Sequence, residues 1–402
     1  MNVLFLAPDF FPVWGGAGTY IIELVKNLPR DYEIHIATID RANFKKGGKS
    51  TSSAELDKIF PPNVHIHYIT KAKGTFAYNI NYQLTIATEI RKLIREHDID
   101  VVHTQSSMPD LLCPVKKMGV PVITTIHNSS EMQIAGWKRS RSKFSHLETS
   151  EKMIVVGKPI FKLSERYYYS QKRMNITVSE WSKRQFMRYY NMPEESTRVV
   201  YNGVDNEQYN PAKRDEKLFD PIDPDNKGPR VLFLSRMLEL KGITPLLKAI
   251  PIVLDSVDAS FLFAGPGNTS RIKGDTKGIK YLGYIDHEKT PAYIASSDVF
   301  VLPSFGENFP FSLLEAMACQ VACVSTTVGG IPEMIENEVD GLLDDPGDHE
   351  KFAKSIIRMI EDDDLRKTLA MNGRKRVVRD FTWQKAAGEV ADLYDEITHR
   401  PC

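Results

Sequence analysis

The run Asp298-Val-Phe-Val-Leu-Pro-Ser304-Phe-Gly-Glu307-Asn-Phe-Pro-Phe-Ser-Leu-Leu-Glu315-Ala-Met-Ala-Cys319 holds the strongest chemical signal in the sequence. It reads as a strand, a loop and a helix that opens near Pro310, since proline suits the first helical turn. Glu307 then falls in the loop and Glu315 within the helix. Amides of that first turn, around Phe311 to Leu313, would point at a phosphate. A carboxylate accepts two hydrogen bonds at once and so suits sugar hydroxyls. Glu307, Asn308, Phe309, Pro310, Phe311 and Glu315 therefore form a candidate set bracketing one ligand.

Other pieces offer compatible chemistry. Ser235-Arg236 and Lys241-Gly242 follow an apolar strand, where an arginine fork and a lysine point charge can converge on one diphosphate; a solvated surface pair is the alternative. Gly15-Gly16-Ala17-Gly18 precedes the helical run Tyr20 to Leu28, so backbone at Gly16 can approach a ligand at a helix N-terminus. A dinucleotide fingerprint fails there, because the position needing its last glycine is Ile21; a structural tight turn is the other reading. Gly329-Gly330-Ile331-Pro332-Glu333 is a further glycine turn before a helix. His127 ends the strand Val122–Ile126, where a histidine is often structural.

Metal chemistry finds little support in the spacing. Asp223-Pro224-Asp225 has no apolar strand before it and reads as solvated loop. His65-x-His67 alternates within a strand and is read as lacking nearby ligands, so no zinc site is assigned. Cys113, Cys319, Cys323 and Cys402 form no C-x-x-C pair and read as buried free thiols. The expectation is no metal and no cofactor.

These residues need a scaffold. Apolar runs at Val3–Ala7, Glu33–Thr38, Val64–Ile69, Ile99–Thr104, Val120–Ile126, Asn175–Val178 and Arg198–Tyr201 alternate with helical patterns. In one, Ile86, Ile90, Leu93, Ile94 and His97 share a face. Such alternation predicts a parallel sheet covered on both faces. Residues 206–229 are polar and proline-rich and read as a linker. The rhythm restarts with strands at Arg230–Ser235, Ser260–Ala264, Ile279–Leu282, Asp298–Pro303 and Val321–Ser325, and a helix from Gly242 to Asp255. The predicted class is α/β, with two doubly wound Rossmann-like domains facing a cleft, ligands lying beyond the carboxyl ends of the strands. Two long loops are expected, Arg41 to Pro62 and Asn128 to about Lys158.

The chain has 402 residues, 42% apolar and 26% charged, with 52 basic and 52 acidic side chains. Net neutrality gives no bulk attraction to nucleic acid. The sequence opens directly on a strand-like run, and no stretch reaches the roughly 18 apolar residues of a membrane span. A cytoplasmic enzyme is the expectation. The basic, aromatic-flanked segment 137–144, from Trp137 to Phe144, is a candidate peripheral membrane contact.

Taken in order, these motifs resemble glycosyltransferase family 4, the retaining transferases of GT-B fold. The matching pieces are the Gly15–Gly18 loop, His127, Val178-Ser179-Glu180, Tyr201-Asn202-Gly203-Val204-Asp205, Ser235-Arg236 with Lys241-Gly242, Ala264-Gly265-Pro266-Gly267, Gly283-Tyr284, Glu307 with Glu315, and the Gly329–Glu333 turn. The sequence departs from the family at Gln320 and Ala322, and at Pro310, where a glycine is frequent. The resemblance implies that Gly16 approaches a nucleotide-sugar donor, Arg236 and Lys241 hold its diphosphate, Glu315 binds the ribose, and Glu307 and His127 face the transferred sugar. It also implies that a final helix, Thr382 to Thr398, crosses back onto the N-terminal domain. The domains are then 1–205 with 382–402, a linker 206–229, and 230–381 for the donor. The implied function is metal-independent, retaining transfer to a glycan, lipid-linked or small-molecule acceptor. A nucleotide-sugar epimerase and a non-catalytic sugar-nucleotide-binding subunit are the alternatives.

Overall fold

Short apolar runs with no polar alternation can be buried on both faces, and that is how they are used here. The computed structural model describes residues 1–10, 16–40, 59–71, 78–105, 108–224, 228–269, 272 and 278–399. Gly15, Asp225, Cys402 and most of the expected loop Arg41 to Pro62 lie outside them. The first sheet contains β1 (Asn2–Ala7), β2 (Glu33–Asp40), β3 (Val64–Lys71), β4 (Val101–Gln105), β5 (Val122–Ile126), β6 (Met174–Thr177) and β7 (Thr197–Val199), in the order β3-β2-β1-β4-β5-β6-β7. The second contains β8 (Arg230–Leu234), β9 (Ser260–Ala264), β10 (Ile279–Gly283), β11 (Val299–Leu302), β12 (Ala322–Thr326) and β13 (Leu342–Asp344), in the order β10-β9-β8-β11-β12-β13. Every pairing in both is parallel. The sequence reading lacked β13, whose three residues are too few to show a period.

Contacts divide the chain into two units: Met1–Ser129 with Pro159–Asn202 and Trp383–Cys402, and Ser130–Lys158 with Gly203–Thr382. Residues 130–158 differ from the sequence reading in two ways. They are not a long loop but mainly two helices, Ser130–Ser140 and Thr149–Val156. They also group with the second unit rather than with the N-terminal domain. Tertiary contacts hold them there: Arg139 Nη1 donates to the Phe305 carbonyl at 2.6 Å, and Ser142 Oγ donates to Glu239 at 3.1 Å.

In the first unit the helix Tyr78–Glu96 lays Tyr82, Ile86, Ile90 and Ile94 on Leu4, Leu6, Ala37 and Val102. Ile86 and Ile90 are fully buried, each contributing about 1.5–3 kcal/mol of transfer free energy. The Tyr82 hydroxyl donates to the Ala37 carbonyl at 2.7 Å, which anchors the helix on the sheet. The helix Trp383–Thr398 returns to this unit and packs on the helix Gly16–Asn27. Its Tyr394 hydroxyl lies 2.6 Å from His103 Nδ1, and His103 Nε2 lies 2.8 Å from Thr125 Oγ1. Thr125 in turn meets the Tyr20 hydroxyl at 3.1 Å, and Tyr20 meets Trp383 edge-on.

Two readings of polar residues need correction. Asp223 is not solvated loop: it is buried, accepts a hydrogen bond from Ser260 Oγ, and lies 3.6 Å from Lys280 Nζ. His67 does not lack nearby ligands either. His35 Nδ1 is 3.0 Å from His67 Nε2, and the His97 ring packs against both. Burial, with the neighbouring imidazoles adding, pushes His35 down to about 4. The three described cysteines, Cys113, Cys319 and Cys323, are free and buried as expected.

His103 is fully buried, and burial, with His127 adding, depresses it to about 3. An unfolded histidine takes its proton near pH 6.5. Below that pH the unfolded state binds the extra proton first, so stability falls as pH falls, by up to about 1.4 kcal/mol per pH unit from this residue, until about pH 3. Urea denaturation followed from about pH 6.5 to about pH 5 should show the slope. His103→Gln, which does not titrate, should flatten it by about that amount; equal slopes in the two proteins would contradict the assignment.

Candidate active site

Glu307 and Lys241 are brought together by two neighbouring strands of the second sheet, β8 and β11. Lys241 leaves β8 through the 3-10 turn Glu239–Lys241, and Glu307 follows β11 in the loop before the helix Phe311–Ala318. Lys241 Nζ donates to Glu307 Oε1 at 2.6 Å, and Ser304 Oγ donates to the same oxygen at 2.7 Å. Glu307 Oε2 has no hydrogen bond among the described residues. The lysine has three donors and gives one to Glu307.

Backbone contacts fix this pair. Phe305 N donates to the Leu240 carbonyl at 2.8 Å, tying the two loops together. Ser325 Oγ and Thr326 Oγ1, on β12, donate to the Leu302 and Ser304 carbonyls, each at 2.7 Å. Gly242 has φ 78°, and a Cβ there would strike the Pro303 carbonyl. Gly329 has φ 63°, and a Cβ there would strike the Glu307 carbonyl. The second glycine turn thus has a specific use: it lets the chain pass directly beneath the Glu307 backbone. From the other side Gly136 packs against Leu240 and Gly306, beside the Arg139 bond to Phe305.

The remaining residues are distributed as follows. Pro310 is the N-cap of the helix Phe311–Ala318 and supplies no side-chain cap. Phe309 is buried, edge-on against Phe381. Glu315 lies partly buried within the helix; burial first, then its charge, pushes the Cys319 thiol up. Arg236 is exposed, and unlike Lys241 it is not held by Glu307; its charge acts instead on Glu151, whose carboxyl is raised by burial, with Arg236 opposing. Beside Arg236 a cavity of about 560 Å³ opens past the ends of β8 and β9, lined by Met237, Glu239, Asn268, Glu148 and Lys152 among others. That volume is in the range of small-molecule sites.

In the first unit, His127 Nε2 lies 2.8 Å from Gln105 Oε1, and its ring meets Tyr20 edge-on at 4.6 Å. Burial lowers His127 to about 4, so it is neutral near pH 7. Gly16 is exposed at the first position of the helix Gly16–Asn27. Sequence reasoning missed Ser304, Glu239 and Glu151. Ser304 alone gave a local signal, as a hydroxyl three residues before Glu307; the two glutamates are recruited by tertiary contacts.

Residues 14–208 match the family model described as Glycosyltransferase Family 4, and residues 228–362 match that described as Glycosyl transferases group 1. An N-acetyl-alpha-D-glucosaminyl L-malate synthase of Bacillus anthracis is 24% identical over 401 residues, covering 96% of this chain and 95% of that protein. The sucrose-phosphate synthase of Thermosynechococcus elongatus superposes with a TM-score of 0.76 at 19% identity, over 98% of each chain. Anabaena Alr3699/HepE in complex with UDP-glucose superposes with a TM-score of 0.73 at 18% identity, over 98% of this chain and 100% of that one. Fold and family models together define a glycosyltransferase of the GT-B class. Within that class the chain belongs to the family 4 glycosyltransferases.

The packing of Gly329 generates a test. Gly329→Ala adds backbone strain on the order of 1–3 kcal/mol and must displace the Glu307 loop. The denaturation midpoint and turnover should both fall. Gly388→Ala, where an added Cβ meets nothing within 4 Å, should be neutral or stabilising and serves as the control. Unchanged stability and turnover in Gly329→Ala would show that the turn does not support the loop.

Proposed function

We propose that the chain transfers a glycosyl group from a nucleoside-diphosphate sugar to an acceptor, with retention at the anomeric carbon and without a metal ion. The observation that carries this reading is the 2.6 Å bond between Lys241 and Glu307 at the carboxyl ends of parallel strands, beside a helix start with no side-chain cap. The bond from the anomeric carbon to the phosphate oxygen breaks, and one from the acceptor oxygen forms on the same face. The acceptor proton passes to a phosphate oxygen of the departing nucleoside diphosphate. Lys241, Arg236 and the first-turn amides stabilise the charge that grows on the diphosphate, a preorganised electrostatic effect. Glu307 Oε2 receives a sugar hydroxyl, Glu315 the ribose, and Gly16 admits the donor backbone-first. His127, neutral near pH 7, offers the sugar a hydrogen bond without adding a competing cation. The named relatives support the donor class: the Anabaena protein is complexed with UDP-glucose.

A panel of nucleotide sugars screened by thermal shift identifies the donor, because a ligand that binds the native state raises its melting temperature. With that donor, Arg236→Ala and Lys241→Ala should each weaken nucleoside diphosphate binding at least about tenfold, as charge-assisted bonds are worth about 1.5–3 kcal/mol. Glu315→Gln should weaken donor and free diphosphate alike. Glu307→Gln retains an acceptor oxygen for Lys241, so it should spare diphosphate binding but lower kcat about a hundredfold, equivalent to about 2.7 kcal/mol. Turnover should survive EDTA. Unchanged diphosphate affinity in both cation variants, normal kcat in Glu307→Gln, or chelator-abolished turnover restored by manganese would each overturn part of the proposal. An epimer formed without acceptor would point to the epimerase.

The acceptor is a glycan, a lipid-linked sugar or a small molecule. We also propose a peripheral membrane contact through 137–144, supported by the exposure of Lys138, Arg139, Arg141, Lys143 and Phe144. No described helix is long and apolar enough to cross a membrane. Sedimentation with anionic vesicles at low salt should retain the protein and high salt should release it; no binding at low salt removes this contact.

A further inference from the structure

The first sheet carries a second cluster of chemistry-bearing groups, at the end away from the residues discussed so far. His35 is the third residue of β2, and His67 the fourth of β3, whereas His127 follows the carboxyl end of β5. In the pairing of β2 with β3, His35 lies opposite His65 and Ala37 opposite His67. Residues two apart on a strand share a face, so the His35, His65 and His67 rings gather on one side of this edge. His97 joins them just past the end of the helix Tyr78–Glu96.

Ring centroids of His35 and His97 are 4.4 Å apart, of His67 and His97 4.7 Å, and of His35 and His67 5.2 Å. One hydrogen bond joins the three imidazoles, that between His35 Nδ1 and His67 Nε2 at 3.0 Å. The His97 ring makes none among the described residues, although its backbone carbonyl is held by Asn2 Nδ2 at 3.1 Å. Three imidazoles packed together thus carry more lone pairs than hydrogen bonds. His65 is engaged elsewhere, with Nε2 on Glu33 Oε2 at 2.8 Å.

We propose that His35, His67 and His97 bind one divalent transition-metal ion of the zinc type. One candidate donor atom from each lies within 4.8 Å of the other two. Zinc–nitrogen bonds of about 2.0–2.1 Å at a tetrahedral angle set nitrogen–nitrogen spacings of roughly 3.3 Å, so closure needs shifts on the order of 1 Å. His35 is buried, while His67 and His97 are partly exposed and give the ion a way in. Imidazole donors with no carboxylate among them suit zinc, nickel or copper rather than magnesium or calcium. Three protein ligands leave the fourth position to solvent. The ion would join β2, the edge strand β3 and the end of the helix Tyr78–Glu96; backbone pairing already joins the two strands, so the link it adds is to the helix end, which packing, the Tyr82 bond and Asn2 otherwise hold. Its role is structural, because the strands run parallel and the candidate site residues of this unit, Gly16 and His127, stand at their other end.

The test uses the full chain without a polyhistidine tag, stripped by chelator and titrated with zinc chloride. Calorimetry should show one ion per chain, and the melting temperature should rise. Cobalt in place of zinc should give the intense visible bands of a four-coordinate site. His97→Gln, at a partly exposed helix end, and His67→Gln should each weaken binding at least about tenfold, since each removes a ligand. His287→Gln, in the other unit, should leave it unchanged. No saturable zinc binding by the wild-type chain overturns the proposal. So does affinity that survives both His67→Gln and His97→Gln, or that falls equally in His287→Gln. Because the ion lies apart from the donor residues, chelation should lower the melting temperature while turnover at moderate temperature persists.

Discussion

A carboxylate withdrawn from water sets the terms for the second unit. The Glu307 side chain retains 7% of its exposure and that of Lys241 18%. Removing an ion from water carries an effective penalty of several kcal/mol, offset only by good geometry and further hydrogen bonds. Lys241 and Ser304 supply that compensation on one oxygen, and most of the surrounding architecture serves to keep them there. The short 3-10 turn after β8 aims the lysine. The tie from Phe305 to Leu240 keeps the loops in register, and β12 grips the backbone on either side of Pro303. Gly242 and Gly329 exist at positions where any side chain would push these backbones apart. Had any of these failed, the pair would separate and leave a buried charge uncompensated.

The first unit rests on a different kind of constraint, a chain of uncharged polar groups. Tyr20, Thr125, His103 and Tyr394 hydrogen-bond in sequence through the core. Each is buried, so each would be costly unpaired. The last member comes from the C-terminal helix, which is why that helix belongs to this unit although the preceding 180 residues, Gly203–Thr382, belong to the other. His127 stands at the edge of the same network through its contact with Tyr20. Its neutrality follows from burial, to which the Tyr20 ring of that network is a neighbour.

How much of this could be read from the sequence follows from the range of the interactions. Twelve strands announced themselves because a run such as Val-Leu-Phe-Leu is a local property, and the glycine turns and the Glu307 to Glu315 spacing were local too. Apart from β13, too short to show a period, the failures were tertiary. The segment 130–158 looks like loop because its helices owe their place to Leu240, Phe305 and Glu239, more than a hundred residues on or nearly so. Asp223 looks solvated until Ser260 and Lys280 arrive from the adjoining strands. His65-x-His67 looks isolated because its neighbours come from 32 residues before, on β2, and from beyond a helix. Of Arg236 and Lys241, close in sequence, the second is bonded to Glu307, a partner that the spacing alone does not name.

The choice of a lysine to face Glu307 has its own logic. An arginine there would place a planar fork against the carboxylate and tend to satisfy both carboxylate oxygens at once. A lysine is a point charge with three independent donors. One donor on Oε1 leaves two for a second anion, and it leaves Oε2 without a partner among the described residues. On the proposed reading, that freedom is the reason one cation can serve a sugar-binding carboxylate and a diphosphate together. The attraction between Lys241 and Glu307 also partly neutralises both before any ligand arrives, which makes the buried pair tolerable. A hydroxyl donating to Glu307 draws carboxylate charge toward itself and leaves more of the ammonium's field for the phosphate. The two halves of the donor would then reinforce each other through a single 2.6 Å hydrogen bond, a coupling that a pair of separately solvated charges could not provide.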